Sequence, residues 1–252
     1  MDSNFTITAS IVIYNEDLET LKKTINSFLQ ISFSKKLYLI DNSSVNKFKT
    51  YFKSKEVEYI FVGKNLGFGK AHNLIIDKIN GKSEFHLVLN PDVVFNSKII
   101  FVLISELEKD KSLSMISPKV LNFDGTLQFA CRKFPTFFDL INRRVKISNK
   151  QIFHNTYQDR NLDKPFHPDF IQGCYMLFKT EDFIKLNGFD ERYFLYMEDV
   201  DICKKIDAIG KKKLYFPNVE IIHQHRRGSS KKIKLLFYHL SSAIKYYLKW
   251  GV

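Results

Sequence analysis

Along the first 110 residues, short apolar runs alternate with polar turns and with apolar residues at helical spacing. Residues 7–13 form a β-rich run that closes on Tyr14, Asn15 and Glu16, after which Leu18, Leu21, Ile25, Phe28 and Leu29 recur with the period of a helix. A second strand, 37–40, runs into Asp41-Asn42-Ser43-Ser44. A third, 57–62, ends at Gly63 and is followed by the loop 65–73 (NLGFGKAHN), which leads into Leu74, Ile75 and Ile79. A fourth, 85–89, meets Asn90-Pro91-Asp92 ahead of a helix over 97–108. Strands and helices alternating at this rhythm predict an α/β fold with a mostly parallel, doubly wound sheet flanked by helices.

The second half is less regular. Residues 113–117 read as a strand, Asn122 to Thr126 with Gly125 as a hairpin turn, and 170–179 as a further strand followed by a short helix from Thr180. Between them, 134–168 carries Pro135, Pro165 and Pro168 among aromatics and cations, and reads as an insertion over a cleft. From about Glu198 a helix places Ile202, Cys203, Ile206 and Ile209 on one stripe. Glu198 and Asp199 lie one turn earlier on the same inward side, and Asp201, Lys204 and Lys205 are expected to face water. Residues 213–216 and 219–223 read as two strands. The chain closes on a basic loop and a helix whose apolar stripe is Ile233, Leu236, Phe237, Leu240, Ile244, Tyr247 and Leu248.

Composition narrows the class. With 252 residues and 44% hydrophobic content the chain can bury a large core, and no apolar run reaches bilayer-spanning length. Asp2 and Glu16-Asp17 flank the early apolar patch, so a secretory signal is not expected. Cys131, Cys174 and Cys203 are widely separated and lack metal-ligand spacing, which fits a reducing cytosol and no zinc site. The net charge of +12 is uneven, since residues 204–252 hold ten Lys and two Arg against Asp207 and Glu220. Such a segment seeks an acidic surface or ligand, an anionic membrane face or nucleic acid. No helix-turn-helix, zinc-finger or RNP-type pattern accompanies it, which argues against nucleic acid.

In doubly wound sheets ligands bind off the carboxyl ends of the strands. Asn15, Asp41, the loop 65–73 and Asp92 all lie at such ends and should gather along one edge as a nucleotide pocket. The adjacent acids Glu198 and Asp199, which follow an aromatic run and face inward, suit a general base at the floor of a cleft.

The motifs IVIYNE (11–16), IDNSS (40–44), NLGFGKAHN (65–73), LNPD (89–92), and NGFDERYFLYMEDVDICKKIDAIG (187–210) followed by a strand and IIHQH (221–225) occur in one order over nearly the whole chain. In that order the chain resembles family 2 glycosyltransferases of the GT-A fold. CRKFP (131–135) and QGCYMLF (172–178) bring it nearer to the bacterial rhamnosyltransferases that extend lipid-linked O-antigen or cell-wall precursors. The resemblance implies one GT-A domain over 1–230, with a nucleotide-sugar half at 1–112 and an acceptor half at 113–230, and a basic amphipathic helix at 231–252.

Carried onto this sequence, the resemblance implies that Tyr14, Asn15, Asp41, Asn65, Gly67, Gly69, Asn73, Asn90 and Asp92 hold the nucleotide sugar. An ionised Asp41 offers acceptors to a uracil or thymine imide, and Gly67 and Gly69 would let the backbone approach the nucleotide. Asp92 matches the last acid of the family's Asp-x-Asp metal motif, whose first position is here Asn90. It would hold Mg²⁺ or Mn²⁺ with His223, or with His225 two residues on. Asp199 is the implied base of an inverting transfer. Gly173, Asp190 and Glu198 are implied on the acceptor side, with Asp190 alternatively organising its turn. Arg226, Arg227 and Lys231 would stabilise the leaving diphosphate, and Arg132 would lie near the cleft or on solvated surface. The implied reaction moves L-rhamnose from dTDP-β-L-rhamnose, or a sugar from another dTDP or UDP donor, to a lipid-linked glycan. Its place would be the cytoplasmic face of the plasma membrane, with peripheral contact to anionic lipid. A sugar-nucleotide pyrophosphorylase, which shares such a sheet, would need a glycine-rich basic loop where Tyr14-Asn15-Glu16-Asp17 stands.

Overall fold

The structure is a computed structural model that describes residues 5–52, 54–136, 149–224 and 233–251. In chain order the strands are β1 (Phe5–Ile13), β2 (Lys35–Asp41), β3 (Val57–Phe61), β4 (Ser83–Leu89), β5 (Val93–Val94), β6 (Leu113–Leu121), β7 (Cys131–Arg132), β8 (Phe170–Ile171), β9 (Tyr175–Lys179) and β10 (Lys212–His223). The helices are α1 (Leu18–Leu29), α2 (Gly69–Asn73), α3 (Ile76–Ile79), α4 (Ile99–Lys109), α5 (Asn149–Asn155), α6 (Thr180–Lys185), α7 (Glu198–Ala208) and α8 (Ile233–Trp250). Eight strands form one sheet in the order β3-β2-β1-β4-β9-β6-β10-β5, and β7 pairs with β8 in a small second sheet. The block β3-β2-β1-β4 is parallel, as is β6-β10, whereas β9 is antiparallel to both β4 and β6, and β5 is antiparallel to β10.

Alternation along the strands supplies two apolar faces. Ile7, Ala9, Ile11 and Ile13 of β1 join Leu21, Ile25 and Phe28 of α1 and Leu103 and Leu107 of α4 on one side. Tyr38, Ile40 and Val88 meet Ala71, Ile75, Ile79, Phe183 and Ile202 on the other. Helices therefore cover both faces, as a doubly wound sheet requires. On the second face β1 carries buried Thr8 and Ser10. Ser10 Oγ lies 2.7 Å from His72 Nδ1 and 3.0 Å from His86 Nε2, while Thr8 Oγ1 lies 2.9 Å from His86 Nδ1. Burial pushes the His86 pKa down to about 3, so its imidazole stays neutral and the network ties α2 to the sheet without a buried charge.

Three expected elements differ in detail. The segment 170–179 is two strands in different sheets, parted by Gln172-Gly173-Cys174. Residues 212–223 are one strand with a register shift between Phe216 and Glu220, where Pro217 has no N–H to give the ladder. The second half of the expected loop 65–73 is itself helical, as α2, and the helix expected after it is the short, separate α3.

The largest departure concerns α7 and α8. Asp201 is fully buried rather than facing water. Its carboxylate accepts from Trp250 Nε1 at 2.7 Å, Lys249 Nζ at 2.8 Å and Tyr193 Oη at 3.2 Å. Lys204 lies 5.3 to 5.5 Å from the ring centres of Phe134, Tyr246 and Trp250, a cation held over aromatic faces. Lys205 donates to Gly188 O at 2.6 Å. These contacts set which side of α8 turns inward: Ser242, Ala243 and Tyr246 are buried, and Ser242 Oγ donates to Leu195 O at 2.9 Å. Most of the expected apolar stripe consequently points outward, and Ile233, Phe237, Leu240, Ile244 and Leu248 are 45% to 81% exposed. Among the described residues, no helix is long and apolar enough to cross a membrane.

Candidate active site

Parallel pairing brings the polar turns to one edge. Ile13 of β1 is in register with Asp41 of β2, and Asn42 N donates to Ile13 O at 2.9 Å. Asp41 is completely buried, its Oδ1 accepting from Ser43 N at 2.8 Å and its Oδ2 from Tyr59 Oη at 2.6 Å. It therefore braces the turn that joins β2 to the loop after it. Asn15 adopts a left-handed φ of 55° and donates its N–H to Ser43 Oγ at 2.9 Å. Tyr14 beside it is 51% exposed. Asn42 Nδ2 donates to Gly67 O at 2.9 Å and Asn65 Oδ1 accepts from Gly67 N at 2.9 Å, which joins the loop 65–69 to the same edge.

Asn90 and Asp92 follow β4, and His223 ends β10. The Asp92 carboxylate lies 3.2 Å from His223 Nε2, and Asn90 Nδ2 lies 3.3 Å from that nitrogen. His223 Nδ1 lies 2.9 Å from Gln128 Oε1, which can only accept, so Nδ1 carries a proton. Burial works to lower the His223 pKa, but Cys174 and the Asp92 carboxylate beside it prevail and raise it to about 10. Nε2 thus presents a proton to Asp92, at the place where a cation would sit.

The dipeptide Gly173-Cys174 joins this cluster to the catalytic candidate. Gly173 N donates to Asp199 Oδ2 at 3.3 Å, and Cys174 O accepts from Asn90 N at 2.9 Å. Successive Cα atoms are about 3.8 Å apart, so Asp199 and the Asn90-Asp92 turn are anchored to neighbouring residues of one short segment. Gln172 N donates to Ala130 O, and pairing of β7 with β8 brings Arg132 close enough that its cation acts on Asp199.

Asp199 and Glu198 open α7, and Tyr196 and Met197 before them both hold left-handed φ, 70° and 71°. Such residues are rare outside glycine and concentrate at functional sites. The two carboxyls differ in environment. Asp199 is partly exposed, while Glu198 is buried and its Oε2 makes no hydrogen bond. Burial, then the neighbouring Asp199, push Glu198 up to about 8, whereas Asp199 is raised by burial and opposed by the Val200 and Gly173 N–H groups and Arg132. Burial thus favours the protonated form of Glu198, while the two N–H groups and Arg132 favour the ionised form of Asp199.

A testable consequence follows from the sign of that shift. An acid whose pKa rises on folding binds protons better in the folded state, so stability declines as pH climbs from its unfolded value near 4.5 toward 8. Glu198→Gln should keep the fold and lose less melting temperature than the wild type between pH 6 and 9. Parallel melting curves for the two proteins would contradict a neutral Glu198.

A family model described as glycosyl transferase family 2 matches residues 8–186. The chain belongs to that family. A second model, the N-terminal domain of galactosyltransferase, matches 154–227, the stretch that holds the Glu198-Asp199 pair. Similar curated proteins include the rhamnosyltransferase WbbL of Escherichia coli (strain K12), 26% identical over 196 residues, 71% of this chain and 69% of that one. The N-acetylglucosaminyl-diphospho-decaprenol L-rhamnosyltransferase of Mycobacterium tuberculosis is 26% identical over 202 residues, 75% of this chain and 66% of its own length. The low-salt glycan biosynthesis hexosyltransferase Agl10 of Haloferax volcanii is 28% identical over 199 residues, covering 77% and 60%. The match thus spans between 60% and 69% of these relatives.

Solved structures agree on the GT-A fold. GalNAc-T7 with UDP, GalNAc and Mn²⁺ superposes with a TM-score of 0.67 at 18% identity, over 91% of this chain and 46% of that one. The Pyrobaculum calidifontis mannosyltransferase PcManGT with GDP-Man and Mn²⁺ gives 0.61 at 14% identity, over 96% and 65%.

Within this family 2 chain, several implied contacts are spent on the fold. A Cβ on Gly67, whose φ is +85°, would stand 2.0 Å from Phe194 O, and one on Gly69 would stand 2.7 Å from Phe189 Cβ. Both glycines admit the segment before α7, rather than merely leaving room for a nucleotide. Asn73 is a two-way clamp: its Nδ2 donates to Phe189 O at 2.8 Å and its Oδ1 accepts from Phe189 N at 2.9 Å. Of the two roles weighed for Asp190, the geometry supplies the turn-organising one. Arg192 grips its carboxylate through Nε and Nη2, and Lys249 Nζ lies 2.8 Å away. Burial alone would raise the Asp190 pKa; those two cations hold it well below the usual range. Asp190 borders a separate hollow of about 580 Å³ with Asn73, Asp77 and Lys205, which contains none of Asp41, Asp92 or Asp199. Arg226, Arg227, Lys231 and His225 lie outside the described residues. Gln128, which orients His223, belongs to no motif of the sequence, and Cys174, which lies in QGCYMLF, gives no sign there that its carbonyl holds the Asn90 turn.

Proposed function

We propose that the protein is an inverting glycosyltransferase that moves a sugar, L-rhamnose from dTDP-β-L-rhamnose, to a glycan acceptor carried on a lipid at the cytoplasmic membrane face. The observation that carries this is the Gly173-Cys174 step, which holds Asp199 on one side and the Asn90, Asp92 and His223 cluster on the other. The rhamnosyltransferase names of the similar proteins, one of them acting on a diphospho-decaprenol, support the donor and the lipid-borne acceptor.

In this reading the acceptor hydroxyl enters between the two clusters. Its oxygen forms a bond to the anomeric carbon as the bond from that carbon to the diphosphate oxygen breaks, and its proton passes to Asp199. Glu198, neutral and buried behind Asp199, keeps the pair from carrying two charges. Asp41 and Asn15 would grip the nucleoside at the β1 and β2 ends, and Asp190 would support the acceptor side by fixing the turn 187–193. Among the described residues no three His, Cys, Asp or Glu side chains cluster as a full metal cage. The Asp92 carboxylate and the Asn90 amide oxygen nonetheless suit a hard divalent cation that takes its remaining oxygens from a diphosphate, and His223 could join them only by giving up the Nε2 proton it shares with Asp92. Such a cation, Mg²⁺ or Mn²⁺, would offset the charge gathering on the leaving group. The Mn²⁺ in both solved neighbours supports this assignment.

A melting-temperature panel of nucleotide sugars with and without Mn²⁺ tests the reading. At about 100 times Kd a bound donor adds about 2.7 kcal/mol, which for a chain of this size raises the melting temperature by about 5 to 10 °C. dTDP-rhamnose with Mn²⁺ should give that rise and exceed UDP- and GDP-sugars. A larger response to one of those would reassign the donor, and no response to any would overturn the proposal.

A further inference from the structure

The helix α8 displays an arrangement that ordinary packing does not call for. Its inward side is held by Ser242, Tyr246, Lys249 and Trp250, while Ile233, Phe237, Leu240, Ile244 and Leu248 recur every three or four residues down the opposite side. Leu248 is 81% exposed and Ile233 74%. Isolated apolar side chains on a surface need no explanation, but a continuous stripe along an 18-residue helix does. Lys234 and Lys245, both exposed, fall along one border of the stripe. Beyond Glu220 the sequence has no acidic residue and seven cations: Arg226, Arg227, Lys231, Lys232, Lys234, Lys245 and Lys249.

We propose that the outward stripe of α8 is a docking face for an anionic lipid bilayer, on which the helix lies parallel to the surface with its apolar side chains among the acyl chains and its lysines at the headgroups. Charge complementarity selects the occupant. An apolar band bordered by lysines is the signature of an in-plane interfacial helix, and basic residues near an anionic surface add to its hold. A second copy of the chain would instead bring this cationic, acid-free segment against itself. The inference rests on the lipid-borne acceptor of the proposed function for its purpose, not for its geometry. Because Asp201 lies two residues beyond Asp199 and binds both Lys249 and Trp250, the docked helix would also fix how the cleft faces the membrane.

The test is co-sedimentation of the full chain with phosphatidylcholine vesicles, alone or with 30% phosphatidylglycerol, beside the double substitution Phe237→Gln and Leu248→Gln. The wild type should bind the anionic vesicles at least about tenfold more tightly than the neutral ones, and the double variant should lose at least about tenfold, with unchanged melting temperature. Phe123→Gln, at an exposed site on another surface, should bind as the wild type does. Equal binding to both vesicle types, or binding that survives the double substitution, would overturn the proposal. So would a concentration-dependent dimer, seen by light scattering, that the double substitution dissociates without any vesicle binding. Nucleotide-sugar melting shifts measured on the same variants separate this outcome from failure of the proposed function.

Discussion

Asp199→Asn should lower the rate of sugar transfer by about 10² to 10⁴-fold, the span associated with losing a positioned general base, while donor affinity changes by less than about twofold. The amide keeps an oxygen to accept from Gly173 N, so the cleft should persist. What it lacks is a site for the acceptor's proton. Turnover measured by product formation and affinity by calorimetry separate the two effects. Turnover within about threefold of the wild type would remove Asp199 from the base role. Loss of donor binding to the same extent as rate would make it a ligand for the nucleotide sugar. The raised Asp199 pKa adds a direction: wild-type activity should climb with pH as that carboxyl ionises.

The second large effect concerns stability. Asp201→Ala should cost about 3 kcal/mol, the lower end of the range for breaking a buried ion pair, because Tyr193, Lys249 and Trp250 all direct donors at that carboxylate. Lys249 retains Asp190 as a second partner, which keeps the loss from being larger. Trp250 is the single tryptophan of the chain, so its fluorescence reports helix docking directly. A red-shifted emission and a lower urea midpoint are expected together. An unchanged emission maximum would show that α8 is held by its apolar contacts alone.

Much of the sheet was legible because its signals are local. Each strand from β1 to β4 is an apolar run closed by a turn, and the rule that ligands gather at carboxyl ends needs only strand direction. The same holds for Asp92 and Asp199, whose neighbours in sequence place them at a turn and a helix start. Asp201 was misread because helical periodicity ranks positions against one apolar stripe. A second helix, bearing Lys249 and Trp250 at 48 and 49 residues from Asp201, creates a second interior that the period cannot register. The orientation of α8 failed for the same reason: its strongest apolar stripe is not the side its polar anchors select. Gly67 and Gly69 were readable as glycines with a purpose, yet that purpose is contact with Phe194 and Phe189, more than 110 residues along the chain. Gln128 could not be found at all, since one amide oxygen opposite an imidazole has no sequence signature.

Gly173 and Cys174, adjacent in the chain, fix the spacing between the proposed base and the turn proposed to lie under the diphosphate. Because the N–H of one residue answers to the proposed proton acceptor and the carbonyl of the next to the proposed diphosphate turn, slow flexing of the surrounding layers would carry both reactants together rather than pull them apart. Specificity can then drift through the outer loops over evolutionary time while the reach from incoming alcohol to departing phosphate stays constant.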